Sequence, residues 1–518
     1  MSAAEGTRSP GRLRLWDALP WLVLGGLSAA RFVGLADRPL HHDEGVNAWK
    51  LENLLATGVF EYDPANYHGP SLFFAQLLPT ASWWLLQGDW SAPLRQGITE
   101  LSLRSLVAAF GCLILVGVLL ARDRLGAGGA LFAAVLVGLS ASFLYYSRDF
   151  IHEILFVAFT LGLYLAAGSF ARTGRRAHLW LASAAAALVF CTKETSVLTF
   201  AAMGGALTVA VLLRRRGPGE AGAVAAALGD LRRAYAAARP HLWTALLIGV
   251  GIWLALYSSF FMRLRGIPDS LATYLPWFRT ALESGHEKDW HYFVTQILVR
   301  WEPALTACAL PGLVLAFVRR EREGLFLATW AALTLGGYSA IPYKTPWLVL
   351  NALLPMSLLA GWGMERVAAS VGGLGRGARL GMLVVGGAAL AALLGYQAER
   401  SARVVYREYD DSHHAIVYSQ TRRDLRRLLV TLEAKAVGLP RPVPVDVVAQ
   451  EYWPLPFYLR DYAARFWEAR KADAPFVIAN PSQGNELRES LGEGWTRSGY
   501  DLRPGVRLEL WSRRAPEG

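Results

Sequence analysis

Acidic and basic residues at the ends of apolar blocks are the part of this sequence that can do chemistry. Asp43 and Glu44 follow two histidines, His41 and His42, shortly after the first apolar block. A carboxylate pair at the start of a helix can act as a general base toward a hydroxyl group or hold a divalent metal ion. We therefore predict Asp43 as the catalytic carboxylate and give Glu44 an orienting or metal-holding role.

Basic side chains lie at the ends of other apolar blocks. Arg148 follows one block, Lys193 lies between two blocks, and Lys344 lies in the segment PYKTP. Lys and Arg at neighbouring loop ends can bind a phosphate group and stabilise it as a leaving group. The prolines on both sides of Lys344 disfavour a regular helix, so its ammonium group can face a cavity. We predict Lys344 as the main phosphate-binding residue, with Arg148 and Lys193 as helpers.

Further polar residues share these loop ends. The candidates for substrate contact or for hydrogen-bonding support are His42, Tyr67, His68, Glu153, Glu194 and Tyr343. No cofactor is assigned from the sequence. If the reaction uses a divalent cation, Mg²⁺ or Mn²⁺, then Asp43, Glu44 and His42 are its candidate ligands. For the histidines a hydrogen-bonding role is favoured over metal binding, because nothing in the sequence fixes a ligand geometry.

Structural roles are the alternative for each of these charges. Ionisable residues near membrane helices are functional candidates by default, but they also form structural ion pairs. Lys193 with Glu194 and Arg148 with Asp149 are two such pairs that the sequence permits. Asp43 can also serve only as the cap of a helix that begins near Glu44.

The elements that position these residues are membrane helices. Of the 518 residues, 53% are hydrophobic and 18% are charged, whereas water-soluble proteins average about 25% charged residues. The apolar residues form blocks that match the roughly 20 residues of a membrane-spanning helix. This pattern predicts a polytopic α-helical membrane protein and excludes a disordered chain, a coiled coil and a simple cytosolic enzyme. The three cysteines fall inside apolar blocks, so no disulfide framework is predicted.

Arginine clusters between the blocks predict the topology. The net charge of +11 is therefore attributed to the positive-inside rule rather than to nucleic-acid binding. With these clusters in the cytoplasm, the amino terminus is cytoplasmic and residues 45–58 and 71–87 form interfacial helices in the first outer loop. The prediction has about eleven transmembrane helices, at residues 19–35, 104–121, 127–146, 154–170, 177–192, 195–213, 242–261, 304–318, 325–342, 346–364 and 380–396.

The composition changes after Tyr396. Residues 1–396 are predicted to form the transmembrane catalytic domain, and residues 397–518 a small extracytoplasmic α/β domain. Within the second domain, residues 421–436 have helical spacing, residues 444–449 and 475–479 are typical of short strands, and residues 506–511 alternate. The predicted topology places all the candidate site residues on the outer face of the membrane.

The order of these motifs resembles the type C (GT-C) membrane glycosyltransferases. The motifs are HHDEG, YDPANYHGP, YYSRDFIHE, TKET and YKTPWLVLN. The superfamily includes protein O-mannosyltransferases, aminoarabinose transferases of lipid A and oligosaccharyltransferases. The sequence is most similar to a prokaryotic branch described as flippase-activity-associated membrane proteins. The resemblance covers residues 15–365 and extends loosely to the segment YWPLPFY in the second domain.

The resemblance implies a polyprenyl-phosphate sugar donor and transfer to a lipid, glycan or protein acceptor. It places the protein in the cytoplasmic (inner) membrane, in contact with membrane lipids, with the reaction at the outer surface. Asp43 falls at the position of the family's catalytic aspartate, Glu153 matches an acidic residue, and Lys344 matches a basic residue that faces the donor phosphate. His68 stands where some relatives carry lysine. The DxD pairing of oligosaccharyltransferases is absent, so the resemblance does not strongly imply a metal ion.

A glycolipid flippase or transporter, or a non-catalytic accessory subunit, is the alternative to an enzyme. Transporters tend to place charges near the middle of the membrane, within broken and repeated helices. Here the charges lie at the outer ends of the predicted helices and no internal repeat is visible. The pattern therefore favours the enzyme.

The topology is testable with a reporter fusion. We expect alkaline phosphatase fused to the carboxyl terminus to be active, because eleven spans that start in the cytoplasm end outside it. An inactive alkaline phosphatase fusion together with a fluorescent cytoplasmic reporter fusion would contradict this topology. That result would mean that residues 71–87 cross the membrane.

Overall fold

The structure, a computed structural model, describes residues 15–66, 68–88, 90–215, 222–282, 287–466, 470 and 473–513. The predicted site residue Tyr67 lies outside the described residues, and so do Arg12 and Arg14, which form the arginine cluster before the first apolar block and contribute to the predicted topology. The longer helices are Leu15–Ala29, His42–Thr57, Ser71–Gln87, Glu100–Leu120, Ala127–Leu139, Glu153–Thr173, Arg176–Phe190, Ser196–Leu213, Ala223–Ala238, Leu242–Tyr257, Tyr274–Leu282, Pro303–Arg319, Arg322–Ala340, Leu350–Gly372, Arg376–Ala402, Asp424–Ala436 and Gly484–Leu491.

The membrane part is a bundle of apolar helices, as predicted. Each of the eleven predicted spans coincides with helix in the structure. Among the described residues, six helices are long and apolar enough to cross a bilayer, or seven if the bent pair Phe293–Trp301 and Pro303–Arg319 counts as one span. The predicted count of about eleven is therefore not confirmed, because helices such as Ala127–Leu139 and Arg176–Phe190 are shorter than a full span.

Small residues let the membrane helices approach each other closely. A Cβ atom on Gly361 would lie 2.3 Å from the carbonyl oxygen of Gly129, and one on Gly363 would lie 2.4 Å from the Cα of Gly312. Two helices therefore contact Leu350–Gly372 backbone to backbone. Close packing of this kind stabilises membrane bundles, since burial of apolar surface provides little driving force within lipid.

Two helices lie in the connection between the first and second long apolar helices. The first loop helix is His42–Thr57, and the second loop helix is Ser71–Gln87. They match the two interfacial helices expected from the sequence in position. Neither is among the helices long and apolar enough to span, and their placement at the membrane surface stays a prediction.

The carboxyl-terminal domain has its own hydrophobic core and a mixed five-stranded sheet. Its strands are β1 (Pro444–Val447), β2 (Ala463–Phe466), β3 (Phe476–Ala479), β4 (Trp495–Arg503) and β5 (Val506–Arg513). They are ordered β2-β1-β3-β5-β4. β1 pairs in parallel with β2 and β3, while β5 pairs antiparallel with β3 and β4. The helix Asp424–Ala436 packs its buried leucines on this sheet.

The last long apolar helix joins the membrane bundle to the carboxyl-terminal domain. It runs over Arg376–Ala402, so the composition change after Tyr396 falls inside a helix. Gln397 donates to the carbonyl oxygen of Trp301 at 2.8 Å, and Ser401 donates to that of Leu139 at 2.6 Å. The first polar residues of the predicted second domain therefore belong structurally to the membrane bundle.

The carboxyl-terminal domain rests on the first loop helix. A Cβ atom on Gly45 would lie 2.5 Å from the Cβ of Pro454. The Tyr458 hydroxyl accepts a hydrogen bond from the Leu40 amide at 2.8 Å. Arg460 forms an ion pair with Glu52 at 3.3 Å, further along the same helix. Gly45 thus allows the domain to contact the helix backbone directly.

Gly45→Leu tests this contact. The leucine side chain would overlap Pro454, so we expect a lower apparent unfolding temperature and faster proteolysis in residues 408–423, which precede the domain. Gly251→Leu is the control, because a Cβ atom at that position meets nothing within 4 Å. Equal stability and protease resistance in the two variants would contradict the contact.

Candidate active site

A buried ion pair anchors the first loop helix. The Arg104 Nε donates to Glu44 Oε1 at 2.8 Å and its Nη2 donates to Glu44 Oε2 at 2.6 Å. The same guanidinium donates to the carbonyl oxygens of Leu35, Arg38 and Pro39 at 2.6, 2.8 and 3.0 Å. The five contacts use the full donor set of an arginine. The ion pair therefore fixes both the helix and the loop that precedes it.

The Glu44 carboxylate points into the protein rather than toward a ligand. It is fully buried and also accepts from the amides of His41 and Phe150, each at 2.8 Å. Burial alone would raise the pKa of Glu44, but the charge and hydrogen bonds of Arg104 lower it to about 2. The structure thus gives Glu44 an orienting position rather than a place where it can hold a metal ion in the cavity.

Asp43 does not cap this helix. The helix is capped by His41, whose Nδ1 accepts from the Asp43 amide at 3.0 Å, and by Glu44, which accepts from the His41 amide. Neither an ion pair nor a hydrogen bond to the Asp43 carboxylate occurs within the described part of the chain. Successive residues on a helix point about 100° apart, so Asp43 faces elsewhere than Glu44.

Asp43 faces a cavity of about 270 Å³. The cavity lies where the first loop helix meets the turns that follow three of the membrane helices. Most of the residues predicted from the sequence converge here. Those that line the cavity are His42, Asp43, His68, Glu153, Lys193, Glu194 and Tyr343.

A short β-bridge brings two of the predicted motifs together. His68 pairs with Lys193 in an antiparallel bridge. The Gly69 amide donates to the carbonyl oxygen of Thr192 at 3.1 Å. A Cβ atom on Gly69 would lie 2.1 Å from the Cys191 carbonyl oxygen, so this approach requires glycine. Residues 68–70 and the turn CTKET therefore form one wall of the cavity.

The charged residues of this wall are paired. Lys193 forms an ion pair with Glu153, and His68 Nδ1 lies 3.1 Å from Glu194 Oε2. Burial alone would lower the pKa of Lys193, but Glu153 and Glu194 raise it above its usual value. The ion pairs in the structure differ from the two that the sequence permits between neighbouring residues, since Lys193 pairs with Glu153 and Asp149 pairs with Arg38. The partners in each pair lie on different turns that the fold brings together, and they are not neighbours in the sequence.

Two predicted phosphate-binding residues do not line the cavity. Arg148 donates to backbone carbonyl oxygens of residues 30–34, among them Gly34 at 3.0 Å. Lys344 is buried and donates to the carbonyl oxygens of Lys288 at 3.0 Å and Ile341 at 2.5 Å. Both cations thus bind backbone carbonyl groups of irregular segments instead of an open site.

Two histidines beside the cavity are neutral near pH 7. Burial lowers the pKa of His42 to about 4 against the attraction of Asp43. Burial and the neighbouring His68 lower the pKa of His152 well below its usual range. The His152 Nε2 lies 3.1 Å from the carbonyl oxygen of Gly69 and therefore donates to it. These residues supply hydrogen bonds without positive charge.

The comparison with known proteins identifies the fold. The sequence matches no family model and no curated protein. The structure is similar to a crystal structure of ArnT from Cupriavidus metallidurans bound to undecaprenyl phosphate, with a TM-score of 0.65, 16% identity and coverage of 95% of this chain and 98% of that chain. This ArnT is a GT-C glycosyltransferase. The chain has the GT-C fold.

A second solved structure with this fold is more distant. The oligosaccharyltransferase AglB from Archaeoglobus fulgidus, in complex with an inhibitory peptide and a dolichol-phosphate, gives a TM-score of 0.51 at 12% identity. The match covers 90% of this chain and 70% of that chain. The GT-C resemblance predicted from the motifs is therefore confirmed at the level of the fold.

Several residues that line the cavity were not predicted from the sequence. They include Asn47, Lys50, His152, Thr195, Tyr338 and Trp347. Helical spacing would have found two of them, since Asn47 and Lys50 follow Asp43 by four and seven residues on one helix face. In the described residues, no three His, Cys, Asp or Glu side chains converge to hold a metal ion.

Glu44→Gln tests the anchoring role. Removing one partner of a buried ion pair costs about 3–5 kcal/mol, so we expect a lower unfolding temperature at pH 7 and little change with the exposed control Glu493→Gln. Because the folded-state pKa of Glu44 lies below the unfolded value of about 4.3, its contribution is present above that value. It should be lost as the pH falls toward 2.

Thermal unfolding of detergent-purified protein between pH 7 and pH 3 measures both effects. The wild type should lose more stability than Glu44→Gln as the pH falls through this window. Parallel pH profiles for the two proteins would show that the carboxylate does not anchor the helix.

Proposed function

We propose that the protein is an integral-membrane glycosyltransferase. It moves a sugar from a polyprenyl-phosphate donor to a hydroxyl group of a lipid, glycan or protein acceptor. The reaction takes place at the outer face of the cytoplasmic membrane. The main support is the Asp43 carboxylate, which has no partner among the described residues and lines a polar cavity. The GT-C fold adds support, since the similar ArnT structure contains undecaprenyl phosphate.

Asp43 is the proposed general base. The acceptor oxygen attacks the anomeric carbon of the donor sugar while Asp43 takes the hydroxyl proton. The bond between that carbon and the phosphate oxygen breaks, and its electron pair leaves with the polyprenyl phosphate. A hydroxyl group is a poor nucleophile, and a positioned general base contributes about 10²–10⁴ in rate.

The other lining residues have supporting roles in this proposal. Lys193 is the predicted phosphate-binding residue that lies in the cavity, where Glu153 and Glu194 orient it. His42 and His68 are placed to hydrogen-bond the sugar. We propose that Arg148 and Lys344 hold the backbone around the site, because both donate to backbone carbonyl groups.

Incubation with a labelled polyprenyl-phosphate sugar separates the enzyme from a flippase. Purified protein in liposomes should release free polyprenyl phosphate when an acceptor is present. Movement of the labelled lipid between leaflets without cleavage would support the transporter instead. If the protein neither releases polyprenyl phosphate nor moves the labelled lipid, the result would support a non-catalytic accessory subunit.

Asp43→Asn is the specific test of the base. We expect a folded protein that still binds donor but transfers sugar at least about a hundredfold more slowly, because the amide cannot accept the proton. Asp461→Asn, an exposed position in the carboxyl-terminal domain that lines neither cavity, is the matched control and should keep most of the activity. Near-normal transfer by Asp43→Asn, in single-turnover measurements, would exclude Asp43 as the base.

A further inference from the structure

Lys50 lies on the same helix as Asp43, seven residues further on. At 1.5 Å per residue their Cα atoms are about 10.5 Å apart along the axis, on the same face. Helical side chains lean toward the amino-terminal end of the helix. Both Lys50 and Asp43 line the first cavity.

Lys50 is a half-buried cation without a close counter-charge. It forms no ion pair or hydrogen bond with the described residues, and the other lysine of the cavity wall, Lys193, is paired with Glu153. Burial lowers the pKa of Lys50, although Asp63 and Asp43 oppose this shift from a distance. A buried charge is costly unless it is paired, so the site around Lys50 favours an anion.

A second cavity of about 710 Å³ adjoins the first. Lys50 and Asn66 line both cavities, so the two meet at these residues. Trp49, Phe60 and Tyr62 contribute to the wall of the second cavity. The arginines of this cavity are matched by carboxylates, as in the 2.6 Å pair of Arg263 with Glu61.

The second cavity lies beside an apolar surface that follows a membrane helix. The segment after Leu242–Tyr257 exposes Phe260, Phe261, Met262 and Leu264, and two arginines within and after it, Arg263 and Arg265, line the cavity. Large exposed apolar side chains at the end of a membrane helix contact lipid. The cavity therefore offers a path between Lys50 and the bilayer.

We propose that Lys50 binds the phosphate of the lipid-linked donor at the junction of the two cavities. The proposal rests on the proposed glycosyltransferase function. The sugar occupies the cavity lined by Asp43, and the polyprenyl chain passes through the second cavity to the bilayer. When the bond from sugar to phosphate breaks, the phosphate changes from a diester with one negative charge to a monoester with up to two. Lys50 stabilises the added charge, and Asp43 holds the acceptor proton, so no further reactant is needed.

Binding of undecaprenyl phosphate tests this assignment separately from sugar transfer. The protein in nanodiscs is titrated with undecaprenyl phosphate, and the variants are Lys50→Met, Lys50→Arg and the exposed control Lys435→Met. We expect Lys50→Met to bind about tenfold to a hundredfold more weakly, as for loss of a charged hydrogen bond. Lys50→Arg should restore much of the affinity, and Lys435→Met should bind like the wild type. The unfolding temperature of Lys50→Met should stay near that of the wild type.

Competition separates a lipid-linked phosphate from other anions. Inorganic phosphate should compete poorly because it has no chain to occupy the second cavity, and phosphatidylglycerol because its phosphate lies between two glycerol groups. If Lys50→Met binds undecaprenyl phosphate as tightly as the wild type, the assignment of Lys50 is wrong. The proposed function would still stand if Asp43→Asn loses sugar transfer and Lys50→Met keeps it. Absence of both undecaprenyl phosphate binding and transfer in the wild type would overturn the proposed function as well. Equal competition by inorganic phosphate would overturn the lipid path.

Discussion

The ion pair between Arg104 and Glu44 is the constraint on which the site depends. One guanidinium holds three carbonyl groups of the loop before the first loop helix, and one carboxylate holds the helix start and the Phe150 amide. These contacts satisfy the backbone polar groups of an irregular segment that is buried in the protein, where water cannot bind them. The direction in which Asp43 points is set by its neighbour, because both lie in the same turn of one helix.

The charges around the cavity are balanced in a way that isolates Asp43. Lys193 and Glu153 neutralise each other, and burial keeps His42 and His152 uncharged near pH 7. The paired wall therefore supplies shape and hydrogen bonds, whereas Asp43 and Lys50 line the cavity without an ion pair to any described residue.

The sequence predicts the helices and much of the cavity, but not the roles of all its charges. Apolar blocks and the order of the motifs were sufficient for the membrane bundle and for seven of the lining residues. Arg148 and Lys344 look the same in sequence as Lys193, because all three follow apolar blocks. Their partners are backbone carbonyl groups, which carry no signature in the side-chain sequence. Lys50 was not predicted because it lies in the middle of a helix rather than at the end of an apolar block. Its spacing of seven residues from Asp43 is the feature that would have indicated it.

The contact between Pro454 and Gly45 links the carboxyl-terminal domain to the helix that carries Asp43. A graft of this domain onto another GT-C bundle would therefore have to include the matching glycine in the recipient. Without it, the added Cβ atom would tilt the domain away from the helix start. Two positions more than four hundred residues apart along the chain thus have to vary together, although neither carries a charge or contacts the cavity.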